Sequence, residues 1–332
     1  MDNRRAHCGE VSSWTQVAIS YLALLAGLAH ATALVGNDPA VSQALMIATV
    51  VGSHAPDFDT AARLRGFSFY IRYHRGITHS IPALFLWPLV ISLPLAWAFD
   101  VMGQMGVLYF WTWIAVVFHV FLDMLNAYGV QCVRPINRRW VHLDVLAIFE
   151  PFLFGLHSVA AVWWLAFGGE AWILFPAAYG ITLLYVGVRA WQHGRLVKRV
   201  ASALEKKGVC HVIPSFHPFH WRFVVETPEV FYTGKIEYAH VILEEIYPKQ
   251  QRNDIIQATV GVDGVRTFLG FAQRIHVTWK ECQDGYEVVW SDVRFWYNRK
   301  LPFGVDVRLD RDLNVVHHQL GWRKKAWAPP FV

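Results

Sequence analysis

Hydrophobic positions in this chain fall into two regimes. Through about residue 190 they form long unbroken runs; beyond residue 207 they form short stretches, several alternating with polar positions. The runs at roughly 80–99, 105–122, 151–168 and 171–188 are each near the length that carries an α-helix across a bilayer. Two weaker runs precede them, at about 17–35 ("VAISYLALLAGLAHATALV") and 40–53 ("AVSQALMIATVVGS"), the second short enough to need neighbouring helices. The later stretches "WRFVVET", "VFYTGKIEY", "HVILEEIYP", "GYEVVWSDVRFWY" and "FGVDVRLDRDLNVV" are separated by Pro, Gly and Asp, as strands are. The pattern predicts an α-helical integral membrane domain over residues 1–190, with about six spans in three hairpins. A basic linker helix over 191–207 follows, then a small cytoplasmic β-rich (α+β) domain over 208–332, with some helix around 248–260.

Composition and charge refine this picture. Of 332 residues, 55% are apolar and 17% charged, and the mean hydropathy is positive, which is unusual for a soluble protein. The links "GNDP" (36–39), "DVMGQ" (100–104) and "GGE" (168–170) carry no Lys or Arg. The opposite links carry Arg63, Arg65, Arg72 and Arg75, then Arg134, Arg138 and Arg139, and Arg189, Arg195, Lys198, Arg199, Lys206 and Lys207 follow the last run. The positive-inside rule makes those links, and both termini, cytoplasmic. Arg4, Arg5, the first apolar run and "ATA" at 31–33 also resemble a secretory signal with its cleavage site; an uncleaved first helix is the reading adopted. Cys8, Cys132, Cys210 and Cys282 lie far apart, so neither a disulfide framework nor a Cys-rich zinc site is expected. The net charge of +5 sits in the loops, and no nucleic-acid partner is expected.

Three polar pieces carry the candidate chemistry: "HAPDFD" (His54, Asp57, Asp59), "HRGITHS" (His74, Arg75, His79, Ser80) and "HVFLD" (His119, Asp123). The predicted topology brings all three to one membrane face. His119 and Asp123 are four apart on an apolar helix and share one stripe. Their nitrogen and carboxylate donors suit zinc, with manganese or iron second to it. Asp57 and Asp59 serve as ligands or general base, and Arg75 as a bidentate phosphate donor. Thr78 and Ser80 are placed to cap a helix beginning near Ile81, with Pro82 in its first turn. Glu150, at the start of the fifth span, and His54 are further candidates for the same site. Each piece also has a plain structural reading: an N-cap for "THS", a turn for "PDFD", a helix-joining hydrogen bond for "HVFLD". Their shared face favours a metal site. "HVILE" (His240, Glu244), His217 with His220, and His317 with His318 lack a matching set of partners.

Together, "PDFD", "HRGITHS" and "HVFLDMLNAYG" resemble the YdjM-type family, bacterial membrane-bound metal-dependent hydrolases, over about residues 14–190. The C-terminal region is similar to the extra β domain of that family's longer, YfhP-like members. The resemblance implies a multi-pass protein of the bacterial cytoplasmic (inner) membrane with a divalent-metal site, distantly similar to zinc-dependent phospholipase C and P1-type nucleases. The matching metal positions are Asp57, Asp59, His74, His79, His119 and Asp123. The expected function is metal-dependent hydrolysis of a phosphoester or phospholipid-like substrate at the cytoplasmic leaflet, with Asp57, Asp59 and Arg75 as catalytic groups. The family pattern has a Thr–His pair at the first helix, where this chain has Thr15–Gln16. That departure keeps open a catalytically inactive metal- or lipid-binding scaffold whose β domain binds a cytosolic protein partner. A transporter fits less well, because the ionisable residues gather at one face and not at mid-bilayer.

Overall fold

The computed structural model describes residues 38–167, 170–251 and 253–323. The predicted run 17–35 and Gln16 lie outside the described residues. The chain divides into two compact units. One comprises the chain through Asp59 together with Arg75–Trp191, and the other comprises Thr60–His74 together with Gln192 onward.

In the first unit, helix α1 (Pro39–His54) opens on Asp38, whose Oδ1 accepts from Ala40 N–H at 2.8 Å, with Pro39 in the first turn. The polar "GNDP" link thus supplies a helix cap. A 3-10 segment, Ala55–Arg65, follows and leads into α2 (Phe67–Tyr73), which packs with the second unit. Helices α3 (Ile81–Ala98), α4 (Met105–Leu125), α5 (Pro151–Phe167) and α6 (Ala171–Leu204) match the four strong apolar runs. By length and composition, Ile81–Ala98, Met102–Leu125 and Trp172–Leu204 are long and apolar enough to cross a membrane; Pro151–Phe167 is shorter. Helix α1 has 16 residues.

Small residues set the closest approach. Ala44, Ala48 and Gly52 recur every fourth position along α1 and are all buried. A Cβ on Gly52 would stand 2.9 Å from Thr112 Cγ2 and 3.3 Å from the Thr112 carbonyl oxygen, so α1 and α4 touch almost backbone to backbone there. This small-residue packing is the usual means of close helix contact in lipid. Val41, Leu45, Ala96, Leu108 and Trp111 fill the core beside it.

The start of α3 differs in one detail from the sequence expectation. The helix does begin at Ile81, with Pro82 in the first turn, but neither hydroxyl caps it. Ser80 Oγ donates to the Ile77 carbonyl at 2.6 Å, Thr78 Oγ1 donates to Asp59 at 2.6 Å, and the Ile81 N–H goes to the Arg134 carbonyl at 3.1 Å. A loop carbonyl satisfies the first orphan donor and leaves Thr78 for other work.

Helix α6 runs without a break through the predicted linker, 34 residues in all. At 1.5 Å per residue this is about 51 Å, well beyond the ~30 Å of a hydrocarbon core. Its last turns belong to the second unit, where Leu196, Val197, Val200 and Leu204 pack against Val212, Trp221, Phe223, Val225 and Ile236 of the first sheet. That sheet is an antiparallel meander of β1 (Val209–Pro214), β2 (His220–Glu226), β3 (Val230–Glu237) and β4 (His240–Pro248). Helices α7 (Asp254–Thr259) and α8 (Asp263–Phe271) lead to a second meander: β5 (Ile275–Cys282), β6 (Gly285–Asp292), β7 (Phe303–Leu309) and β8 (Val315–Trp322). The expected helix near 248–260 thus begins at Asp254 and is followed by a second one. Helix α2 packs on α8, with Arg72 Nη2 on Asp263 Oδ1 at 2.6 Å and on Thr267 Oγ1 at 2.8 Å.

Replacing Gly52 by Ala is expected to cost about 1–3 kcal/mol of stability, the usual range for overpacking. Thermal unfolding of the detergent-solubilised protein measures it. The double variant Gly52→Ala/Thr112→Ser, which removes the nearest methyl, is expected to recover part of the loss.

Candidate metal centre

Three helix boundaries meet in the first unit: the ends of α1 and α4 and the start of α3. His119, on α4, reaches back to α1, where its Nδ1 donates to the Ser53 carbonyl at 2.7 Å. A carbonyl only accepts, so the proton is on Nδ1 and the lone pair of Nε2 faces the other way. His79 is fixed by a longer chain. Thr78 Oγ1 gives its one proton to Asp59 Oδ2 at 2.6 Å, so it accepts from His79 Nδ1 at 3.0 Å. The Nε2 lone pair of His79 is therefore directed to the same place.

Two carboxylates complete the set. His79 Nε2 lies 3.5 Å from Asp57 Oδ1 and 3.2 Å from Asp123 Oδ2. His119 Nε2 lies 3.4 Å from Asp57 Oδ2 and 3.6 Å from Asp123 Oδ2. One ligand atom from each of the four residues lies within 4.8 Å of every other. Donors bound tetrahedrally at 2.0–2.1 Å stand about 3.3–3.4 Å apart, so the spacing fits a zinc-sized ion. The buried atoms Asp57 Oδ1, His119 Nε2 and Asp123 Oδ2 have no hydrogen-bond partner. Buried polar atoms are rarely left so, and a cation among them explains all three.

Electrostatics favours the ionised carboxylates. Burial alone pushes the Asp57 carboxyl up, yet His119 and His79 beside it pull it well below the usual carboxylate range. Burial likewise depresses His79, and Asp123 and Asp57 more than reverse it, leaving it raised. The pocket is thus built for positive charge between two carboxylates, which a divalent ion supplies while leaving both imidazoles neutral.

Arg75 stands behind Asp123. Its Nη2 meets Asp123 Oδ1 at 2.9 Å and its Nη1 meets Asn126 Oδ1 at 3.1 Å, so the two oxygens of Asp123 divide between the guanidinium and the histidines. This is the outer shell that orients metal ligands. Arg75 holds φ at 58°, in the left-handed region, and its N–H donates to Asp59 Oδ2 at 3.0 Å. Asp59 therefore fastens the "HRGITHS" turn through Arg75 and Thr78 and stands outside the group of four.

His54 turns back on its own helix, with Nδ1 on the Val50 carbonyl at 2.9 Å and near Ser53 Oγ at 3.2 Å. His74 caps α2, stacks on Tyr70 at 4.5 Å and belongs to the other unit. Glu150 accepts from Ala147 N–H and the Tyr185 hydroxyl, both at 2.7 Å, with Arg189 3.8 Å away, forming a buried polar joint between α5 and α6. Sequence reading did not single out the Ser53 carbonyl, Asn126, or the pair His142 Nδ1–Asp144 Oδ1 at 2.8 Å. The H-x-D spacing in "VHLD" was the available signal for the last.

Fold and donor set together define a class: a membrane protein of apolar helices whose helix ends enclose a His2Asp2 group suited to a metal, followed by a β-rich domain. The model of the "YdjM inner membrane protein" family matches residues 14–196, and that of the "YfhP C-terminal alpha/beta plait domain" matches residues 254–327. The chain belongs to the YdjM inner membrane protein family. Over 301 residues it is 35% identical to the protein YfhP of Bacillus subtilis (strain 168), covering 90% of this chain and 91% of that protein. No solved structure matches it.

Metal analysis of the purified protein is expected to find that His119→Ala and Asp123→Asn lose stoichiometric divalent metal, whereas His54→Ala and Glu150→Gln keep it. Thr78→Val, which removes the support of His79, is expected to weaken metal affinity about 10–100-fold in a chelator competition.

Proposed function

We propose that this protein is a metal-dependent hydrolase that cleaves a phosphoester of a lipid or lipid-linked substrate at the cytoplasmic leaflet of the inner membrane. The observation that carries this reading is the convergence of His79, His119, Asp57 and Asp123 on one buried point at the ends of apolar helices. Two imidazole nitrogens beside two carboxylate oxygens favour zinc over manganese or iron, and a catalytic ion would be held by some of these four donors with one position left for water. Such an ion, when bound, lowers the pKa of a water and polarises a phosphoryl oxygen.

The chain's own residues supply the remainder. Asp57 and Asp123 hold negative charge on either side of the histidines, and Asp57 or Asp59 accepts the proton of the attacking water. Arg75 shares its donors between Asp123 and the substrate phosphate, and so couples phosphate binding to the position of a ligand. Asp59 and His74 remain proposed as additional ligands in the substrate-bound state. The arginine-rich links beside these helix ends support a cytoplasmic site, with both termini on that side.

A second reading is kept by Gln16, which stands where the family pattern has histidine. In it the metal centre is structural, turnover is absent, and the β domain recruits a cytosolic protein partner. The two readings separate in one experiment. Zinc-loaded protein in phospholipid vesicles is expected to hydrolyse a phosphodiester probe such as bis(p-nitrophenyl) phosphate, to lose that activity with chelator, and to fall to background in His79→Ala. Full metal occupancy with no difference in turnover between the native protein and His79→Ala would sink the hydrolase and leave the scaffold.

A further inference from the structure

The first sheet of the second unit ends in two neighbouring tips. The loop at 215–219 joins β1 to β2 and Tyr238–Ala239 turns β3 into β4; the register places Pro214 against Trp221, His220 against Glu237, and Glu237 against His240. Tyr238 N–H donates to the Phe219 carbonyl at 3.2 Å, and the two rings stack at 5.9 Å. Both rings are open to the outside, 52% for Phe219 and 65% for Tyr238. Tyr238 and Ala239 both hold positive φ, 48° and 71°, so the tight turn presents the tyrosine at some conformational cost.

The direction of these tips follows from α6. Strand β1 starts five residues after the helix ends and runs back along it. At the other end of the strand Trp221, the register partner of Pro214, brings its ring 6.0 Å from that of His193. The helix from 193 to 204 and the strand from 209 to 214 each cover about 16 Å, so the two ends correspond. The tips therefore stand level with His193, where the part of α6 that belongs to the second unit begins. Along the chain, the apolar stretch of α6 closes just before that point with Val188 and Trp191, both exposed. Just beyond it Arg195, Lys198 and Arg199 lie exposed on the helix face turned away from the sheet.

From this placement we propose that the Phe219–Tyr238 pair is seated in the headgroup layer of the membrane that α6 crosses, with anionic phospholipid as its partner. Aromatic rings with one polar end settle at that depth, and a tyrosine stacked on a phenylalanine offers apolar area with a hydroxyl for the wet side. Arg195, Lys198 and Arg199 meet lipid phosphates within a Debye length of the same level. The β domain then rests on lipid at two places, the helix and the paired tips.

The test uses the full chain in vesicles of phosphatidylethanolamine and phosphatidylglycerol, with the four native cysteines replaced by serine. Phe219→Cys and Tyr238→Cys carry an environment-sensitive fluorophore, and Val209→Cys, 55% exposed at the opposite end of the sheet, is the reference. Labels at 219 and 238 are expected to be quenched several-fold more than the label at 209 by lipids with a nitroxide near the headgroup, and to be shielded from aqueous iodide. Equal access of iodide to all three positions, without lipid quenching, overturns the proposal. Shielding at 219 and 238 without lipid quenching overturns it too, and assigns the tips to a protein partner. Using two independent label sites keeps the result readable if one variant folds poorly.

Discussion

Two carboxylates face two imidazole nitrogens at a buried point, where Asp57 Oδ1, His119 Nε2 and Asp123 Oδ2 make no hydrogen bonds. Leaving one such charge buried and unpaired costs several kcal/mol, so this group stays together only as a balanced whole. The rest of the membrane unit is arranged around that requirement. The small residues of α1 let its end come close enough to α4 for a backbone carbonyl, that of Ser53, to hold His119. Gly52 immediately precedes that carbonyl, so helix packing and ligand orientation are set by adjacent residues. Arg75 and Asp59 add one charge of each sign behind the ligands, and the neighbourhood with a divalent ion in place is neutral.

The sequence makes the four candidate ligands legible because each sits at a boundary where a polar residue interrupts an apolar run. His119 and Asp123 share a helical stripe, and Asp57 and His79 flank the ends of spans. The supports are far less legible. Ser53 acts through its backbone carbonyl, which every residue possesses and no motif marks. Thr78 reads as a helix cap and is instead the link between Asp59 and His79. Arg75 reads as a free phosphate donor, and only the folded turn shows Asp123 and Asn126 against its guanidinium.

The same contrast holds for the architecture. The four strong runs become helices that start near their predicted bounds because roughly eighteen to twenty largely apolar residues in succession allow little else in lipid. The basic stretch after residue 188 looks like a separate linker because hydropathy falls there. The backbone ignores that change, since Leu196, Val197, Val200 and Leu204 keep a helical stripe that the first sheet buries. Segment 60–74 carries no signal of its destination. Its role depends on Asp263 and Thr267, nearly two hundred residues later, which receive Arg72.

That segment has a bearing on how such a protein can be divided. The connection between Asp59 and Arg75 leaves one unit, folds with the other and returns, so the two units are joined by three crossings of the chain and not by a single tether. A cut near residue 191 would strip α2 of the surface it packs on. The β domain of this chain is therefore not separable at a single point of the chain. A hybrid made by exchanging C-terminal halves between relatives keeps the contacts of Arg72 with Asp263 and Thr267 only if it carries the matching loop with it.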